Sequence, residues 1–453
     1  MNKVNLNFIS NLIGPISQIL YSFFLVFLIP FYFGLLNYSY WQYYLLIFSF
    51  VGIFEFGFND GFYIINLKKY IKSKFIEVDS LSTFFSLNFI FQLFFFVLIL
   101  FIQYFFFFDS YYKFIFFLVT FNLIFFNSKS FLVYYFHSIN NHLYPNLEIL
   151  IEKSIFVALT LFFILFSRND TYIILIFIDL ISKIIGLVFL FIVSKINIFF
   201  NFSLKTIKIF FSYIKNGFFL MLVNFSSGLF TIILKLLIEY FYGLEIFGKL
   251  SLGLSFLNLF IIFFSSFSFF FNFLIVKFET NKPKSSNLVL FIDFFLMILI
   301  LFSYPTKLIL THFFPEFSYS WTLVYILFPF IFIEGRYQLV LLPKLKFNGK
   351  NLFLFLINIS LLPIFTFLVF LGNQYLLDFS YFLILFLLIH LARNVFLEIK
   401  LKNSFISTLY FIFFILLFIL TNFLFVEISF ILNTFLCFFY IAILIISKSK
   451  SNN

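Results

Sequence analysis

Stretches long and apolar enough to cross a bilayer recur from one end of this chain to the other, and that recurrence decides its solvent. About 20 apolar residues in helical form span the hydrocarbon core. Such stretches lie near Asn11–Phe33, Tyr40–Ile64, Leu81–Phe108, Tyr112–Phe136, Tyr144–Phe166, Tyr172–Ser194, Tyr213–Tyr240, Ile246–Val276, Leu288–Leu310, Tyr319–Leu342, Asn351–Leu371, Tyr375–Leu397, Phe405–Phe425 and Ile428–Ile446. They are apolar on all sides, whereas strands of a membrane barrel alternate over about ten residues. Backbone groups in lipid must be satisfied within each segment, so helices follow. The expected fold is an all-α polytopic membrane protein of about 14 transmembrane helices. Twelve is the alternative, because the last two stretches and the gap around Asp378 carry the weakest signal.

Composition agrees. Of 453 residues, 64% are hydrophobic and 10% charged, against about 25% charged in soluble domains. Phe occurs 92 times, and Lys outnumbers Arg 26 to 3. The enriched types share AT-rich codons, so the Phe content is read as codon bias and not as a stacking platform. Cys437 is the single cysteine, which excludes an internal disulfide and any cysteine-based metal site. The first apolar stretch lacks a small-residue cleavage site and is expected to remain as a span. No phosphate loop, catalytic triad or paired external carboxylates stands out, so neither an enzyme nor a cofactor is expected.

The positive charge marks topology. With the N-terminus inside, the inner segments hold 20 of the Lys and Arg residues, among them Lys68, Lys69, Lys72 and Lys74; the outer segments hold four, Lys113, Arg168, Lys249 and Lys307. Basic residues collect on the cytoplasmic side, so both termini are expected there. A net charge of +11 distributed this way argues for anionic lipid heads and against nucleic acid. The longest loop, roughly Lys195 to Ser212, is partly apolar and suits an interfacial helix.

A short repeat follows the first and seventh stretches: Gly34-Leu35-Leu36-Asn37-Tyr38-Ser39 and Gly243-Leu244-Glu245-Ile246-Phe247-Gly248. Each has Gly-Leu, then an aromatic at the fifth place and a small residue at the sixth. Repeated halves are common in transporters. The expected division is a six-helix lobe over 1–200, a second over 201–400, and two added helices with a tail over 401–453.

Charges inside spans are costly and face a cavity or a partner. Asp179 and Lys183 stand at i,i+4 and pair on one helix face; a self-neutralising structural pair is the plain reading. Lys235 and Glu239 repeat that spacing. Lys129 has no acid within one turn, so it is satisfied from another helix or awaits an anion. Glu152 and Lys153 point about 100° apart and are expected to join different helices. Glu334, Arg336 and Asp293 are expected near the inner surface, and His390 is read as a packing histidine. Glu55 lies among Gly52, Gly57, Asn59, Asp60 and Gly61, where a carboxylate suits a coupling cation or an interior lysine, or else caps and packs the helix end.

Three places resemble the multidrug/oligosaccharidyl-lipid/polysaccharide exporter superfamily, above all its Wzx-type O-antigen and polysaccharide flippases. They are Phe54 to Gly61, Lys235 to Leu252 with the Gly243 and Gly248 turn, and Phe314 to Ser320 before the tenth span. Two departures stand out: Lys235 has no directly adjacent acid, and the Arg-rich interior of some relatives is absent. The resemblance implies two pseudo-repeated lobes around a central cavity, as in MATE exporters and the peptidoglycan-precursor flippase. It implies an undecaprenyl-diphosphate-linked oligosaccharide as substrate, held by Lys235, Lys129 and Lys183 with Glu55, Asp179 and Glu239 as further cavity candidates, in a bacterial inner membrane. Polysaccharide polymerase and chain-length proteins would be its partners. An ion-coupled exporter of small molecules and a membrane glycan polymerase or ligase are the competing readings; short outer loops poor in Lys and Arg weigh against the latter.

Overall fold

The computed structural model describes residues 3–73, 78–106, 110–166, 171–196, 203–279, 292–300, 302–347, 350–375, 379–401, 415–418 and 436. The stretches expected at Phe405–Phe425 and Ile428–Ile446 lie almost wholly outside these residues. The described chain forms two compact units, Met1–Gly228 and Leu229–Asn453.

The first unit contains α1 (Lys3–Phe48), a 3-10 turn at Val51–Glu55, α2 (Phe58–Ser73), α3 (Val78–Phe106), α4 (Ser110–Ser138), α5 (Leu143–Phe166), α6 (Tyr172–Ser194) and the start of α7 (Leu204–Glu279). α5 packs against α1 and α6, and α4 against α2, α3 and α6. The second unit holds the rest of α7, then α8 (Ser303–Phe313), α9 (Ser318–Leu327), α10 (Pro329–Arg336), a π-helical turn at Tyr337–Leu341, α11 (Leu342–Phe347), α12 (Asn351–Gln374) and α13 (Phe379–Lys400).

Among the described residues nine helices are long and apolar enough to cross a membrane, and ten if the pair Pro315–Leu327 and Pro329–Leu345, bent by 47°, is one broken span. Two of them are double length: Ile13–Glu55 has 43 residues and Leu204–Phe264 has 61. At 1.5 Å per residue each exceeds about 60 Å, twice a bilayer core. Each holds one non-helical glycine along its length, Gly34 (φ 72, ψ 166) in the first and Gly243 (φ 80, ψ 175) in the second. That conformation is open essentially to glycine alone. Counting each double-length helix as two raises ten to twelve.

The repeat is thus visible in conformation as well as in sequence. From Gly34 to Trp41 and from Gly243 to Leu250 the side chains run through the same order: exposed, half-buried, exposed, half-buried, buried, buried, half-buried, buried.

Polarity runs from inside to outside. α3 buries Ser82, Ser86, Asn88, Gln92 and Gln103 and exposes Phe94, Val97, Phe101 and Tyr104. A soluble helix does the reverse; lipid is the solvent that accepts this one. The second span is broken by the turn at Val51–Glu55, followed by Phe56 and Gly57 at positive φ. Carbonyls freed by the break are met from α3 and α4: Gln92 Nε2 donates to Phe54 O at 3.2 Å, and Asn127 Nδ2 to Val51 O at 3.2 Å. Asn127 also donates to Gln92 Oε1 at 2.7 Å. Beyond the break, Gly57 and Gly61 lie backbone-to-backbone against Gly217 of α7; a Cβ on Gly61 would stand 1.9 Å from Tyr213 O.

Candidate functional site

Three lysines and three carboxylates meet inside the first unit. α4 supplies Lys129, α5 supplies Glu148, Glu152 and Lys153, and α6 supplies Asp179 and Lys183. Each stands seven residues or more from the nearer end of its helix, except Glu148. At 1.5 Å per residue that is about 10 Å or more into the bilayer, the depth at which transporter sites are built.

Lys129 is satisfied from another helix. Its Nζ lies 3.0 Å from Glu148 Oε1 and bonds Glu152 Oε2 as well. Glu152 uses its second oxygen on Lys153 at 2.6 Å. The expectation that Glu152 and Lys153 would turn to different helices is therefore half right. A four-carbon stem is long enough to fold Lys153 back onto its neighbour, and Glu152 has two oxygens to share. The Lys153 ammonium also sits 4.4 Å over the Tyr21 ring. Gly186 of α6 leaves room for this group: a Cβ there would meet Glu148 Oε1 at 2.7 Å.

Asp179 and Lys183 pair at 2.5 Å, as their i,i+4 spacing predicts. Two further partners close the pair. Tyr44 OH donates to Asp179 Oδ2 at 2.5 Å, and Asn122 Nδ2 stands 2.6 Å from Tyr44 OH and 3.3 Å from Asp179 Oδ2. The Lys183 ammonium lies 3.5 Å over the Phe48 ring. With all six groups ionised the cluster is neutral. Burying charge without a partner costs several kcal/mol per ion, so balance is the condition for this cluster to exist in lipid. Each lysine has an anionic partner within one unit, and an incoming polyanion would have to compete with carboxylates for it.

Glu148, Tyr44 and Asn122 are absent from the sequence-derived candidates. Glu148 was visible: it stands at i−4 from Glu152, on the same face of α5. Tyr44 and Asn122 carry no such signal, because a lone Tyr or Asn in an apolar helix has many ordinary uses. Glu55 closes the 3-10 turn, buried, with Ser130, Asn59 and Asp60 among its polar neighbours. Among the described residues no cation stands within ion-pair distance of it, so of the partners expected for it an interior lysine is not found. Lys235 and Glu239 belong to the second unit, both half-buried on α7.

The second unit has its own network. Arg336 binds Asp293 Oδ2 at 3.0 Å through one terminal nitrogen and Glu398 Oε1 at 2.9 Å through Nε. Arg393 binds Glu334 Oε2 at 2.6 Å and lies 3.8 Å over the Tyr337 ring. Gln338 donates to the other Glu334 oxygen at 3.1 Å. His390 packs among Phe230, Phe330 and Phe386. Asp293, Glu334 and Arg336, expected at the inner surface, are buried, and so is Arg393, counted among the inner-loop charges. Hydropathy places a charge by its distance from a span end; a partner on another helix draws it inward. Two of the chain's three Arg stand here, where a planar fork can bind two carboxylates or stack on a ring and an ammonium cannot.

No known protein family and no curated protein matches the chain in sequence. Solved structures do match in shape. A multidrug-resistance MATE family transporter of the MOP superfamily in an inward-facing conformation aligns with a TM-score of 0.57 at 11% identity, over 86% of this chain and 97% of that one. A point mutant of the MATE transporter VcmN of Vibrio cholerae gives 0.54 at 12% identity, over 87% and 95%. The lipid II flippase MurJ in an inward closed conformation gives 0.53 at 15% identity, over 96% of each chain. This multi-pass membrane chain has the fold shared by MATE transporters and the flippase MurJ.

Proposed function

We propose that the protein is a flippase that carries an undecaprenyl-diphosphate-linked oligosaccharide from the cytoplasmic to the outer leaflet of a bacterial inner membrane, for O-antigen or capsule assembly. The observation that carries this reading is the neutral cluster of Lys129, Lys153 and Lys183 with three carboxylates at membrane depth, in a fold shared with a lipid II flippase. A diphosphate needs cations in a low-dielectric site, and these lysines can meet it only if the carboxylates they release take up protons, since a displaced carboxylate left charged would itself be a buried unpaired ion. Lys235 of the second unit is the further cationic candidate, with Glu55, Asp179 and Glu239 as the acidic members. In this reading the protein has fourteen spans, both termini in the cytoplasm, and two six-helix lobes that open alternately around a central cavity. Polysaccharide polymerase and chain-length proteins are the partners it implies.

The likeness to MATE transporters favours a second reading, an ion-coupled exporter of small molecules. A clean deletion separates the two. Loss of surface glycan with single lipid-linked repeat units accumulating inside the cell supports the flippase. Normal surface glycan in a strain without a redundant flippase overturns it and leaves the exporter.

A further inference from the structure

The corner between α4 and α5 is built tightly. α4 stops with Asn140 in the left-handed region, φ 54. The Asn140 amide bonds the His137 carbonyl at 3.0 Å, and the Asn141 amide reaches back to the Phe136 carbonyl at 2.9 Å. These nested bonds around a left-handed residue form a Schellman stop. Asn141 then opens α5, its side-chain oxygen accepting from Leu143 N at 3.2 Å. The Asn146 side chain ties the His142 carbonyl at 2.8 Å. The turn is thus held at the amides of Asn140, Asn141 and Leu143 and at the carbonyl of His142.

The product of this corner is a pair of imidazoles, on His137 and His142, tilted 40° to each other with their Nδ1 atoms 2.9 Å apart. His142 Nε2 lies 3.2 Å from Asn140 Oδ1. That oxygen only accepts, so Nε2 carries the proton and His142 Nδ1 presents a lone pair. His137 fills that lone pair with its own Nδ1–H. Moving this one proton to His137 Nε2 leaves two lone pairs facing the same gap, and a turn of each ring aims both at an ion standing beside the line that joins the two nitrogens.

We propose that His137 and His142 form a transition-metal site, independent of the transport reading, in which one divalent ion replaces the shared proton. The spacing selects the ion. With metal–nitrogen bonds of about 2.05 Å, donors 2.9 Å apart subtend about 90° at the metal. A tetrahedral ion wants about 109°, which needs donors about 3.3 Å apart. A right angle is the cis angle of square-planar and octahedral centres, so Cu2+ and Ni2+ fit better than Zn2+. Among the described residues no third His, Cys, Asp or Glu joins the pair. Water completes the shell; both rings are half-buried at the end of the helix pair and not inside it.

The test uses the full-length chain, purified without a histidine tag and titrated with Cu2+. Electron paramagnetic resonance on the wild type is expected to show one bound Cu2+ with two imidazole nitrogens. His137→Gln and His142→Gln each reduce this to one nitrogen and weaken binding roughly tenfold or more, since a preorganised pair loses half its donors. His312→Gln leaves both readings unchanged. Unchanged melting temperatures of the metal-free variants show that the corner still folds. Retention of the two-nitrogen signal in the double variant, or failure of the wild type to hold Cu2+ through desalting, overturns the proposal.

Discussion

Gly34 and Gly243, more than two hundred residues apart in the chain, hold one backbone conformation, φ 72, ψ 166 and φ 80, ψ 175. A Cβ at either position would meet nothing within 4 Å. The requirement for glycine is therefore one of torsion and not of space. Gly34→Ala and Gly243→Ala are each expected to cost about 1–3 kcal/mol of stability. Gly228 also faces open space but is helical, so Gly228→Ala is expected to be neutral or stabilising by roughly 0.5–1 kcal/mol. Thermal melts in detergent compare the three. Equal melting temperatures would remove the torsional account.

At Gly61 and Gly217 the requirement is the opposite one. A Cβ on Gly217 would stand 1.9 Å from the Gly57 carbonyl oxygen, and neither backbone can swing aside. Gly217→Ala and Gly61→Ala are expected to destabilise by about 3 kcal/mol or more, the upper range of overpacking. Retained expression and unchanged melting of both would show that α2 and α7 do not approach this closely.

Removing one member of the first unit's cluster leaves a buried charge. Lys129→Met should lower stability by about 3–5 kcal/mol, because Glu148 loses its cation and Glu152 one of two. Adding Glu148→Gln should restore a good part of that loss. The pair of variants separates stability from transport. If Lys129 meets the substrate, the double variant melts near the wild type and still fails to display surface glycan. Full glycan in the double variant would reduce Lys129 to a structural role.

Arg393 is a test of why so few arginines remain. Arg393→Lys keeps the charge and loses the plane that lies over Tyr337. A loss of about 2 kcal/mol is expected, in line with a desolvated cation–π contact. A Lys variant as stable as the wild type would show that charge alone serves at this position.

Much of the helix layout was legible in the sequence. The expected span Tyr172–Ser194 coincides with α6, and Asn351–Leu371 falls three residues short of the end of α12. Long apolar runs bounded by polar residues carry their ends with them. Interruptions inside spans were not legible. The 3-10 turn at Val51–Glu55 and the π turn at Tyr337–Leu341 lie among polar residues and glycines, Glu55 with Gly52 and Gly57, and Gln338 beside Glu334, Gly335 and Arg336, but such residues do not say where a helix breaks. The first depends on Gln92 and Asn127, partners on other helices that hydropathy does not see. The site was half legible for the same reason. Asp179 and Lys183 share a helix face and announce each other, whereas Lys129 finds Glu148 and Glu152 only once α4 lies beside α5.

The inverted polarity of α3 bears on how such a chain can change over time. Its lipid-facing positions ask only for an apolar side chain, so drift in base composition can rewrite them freely, and much of the phenylalanine excess can settle there without cost. The positions turned inward, Asn88, Gln92 and Gln103 among them, each answer to a specific partner. A chain of this kind keeps its shape in a few interior polar letters while its outer face follows the genome, and recognition by overall resemblance fades long before the architecture does.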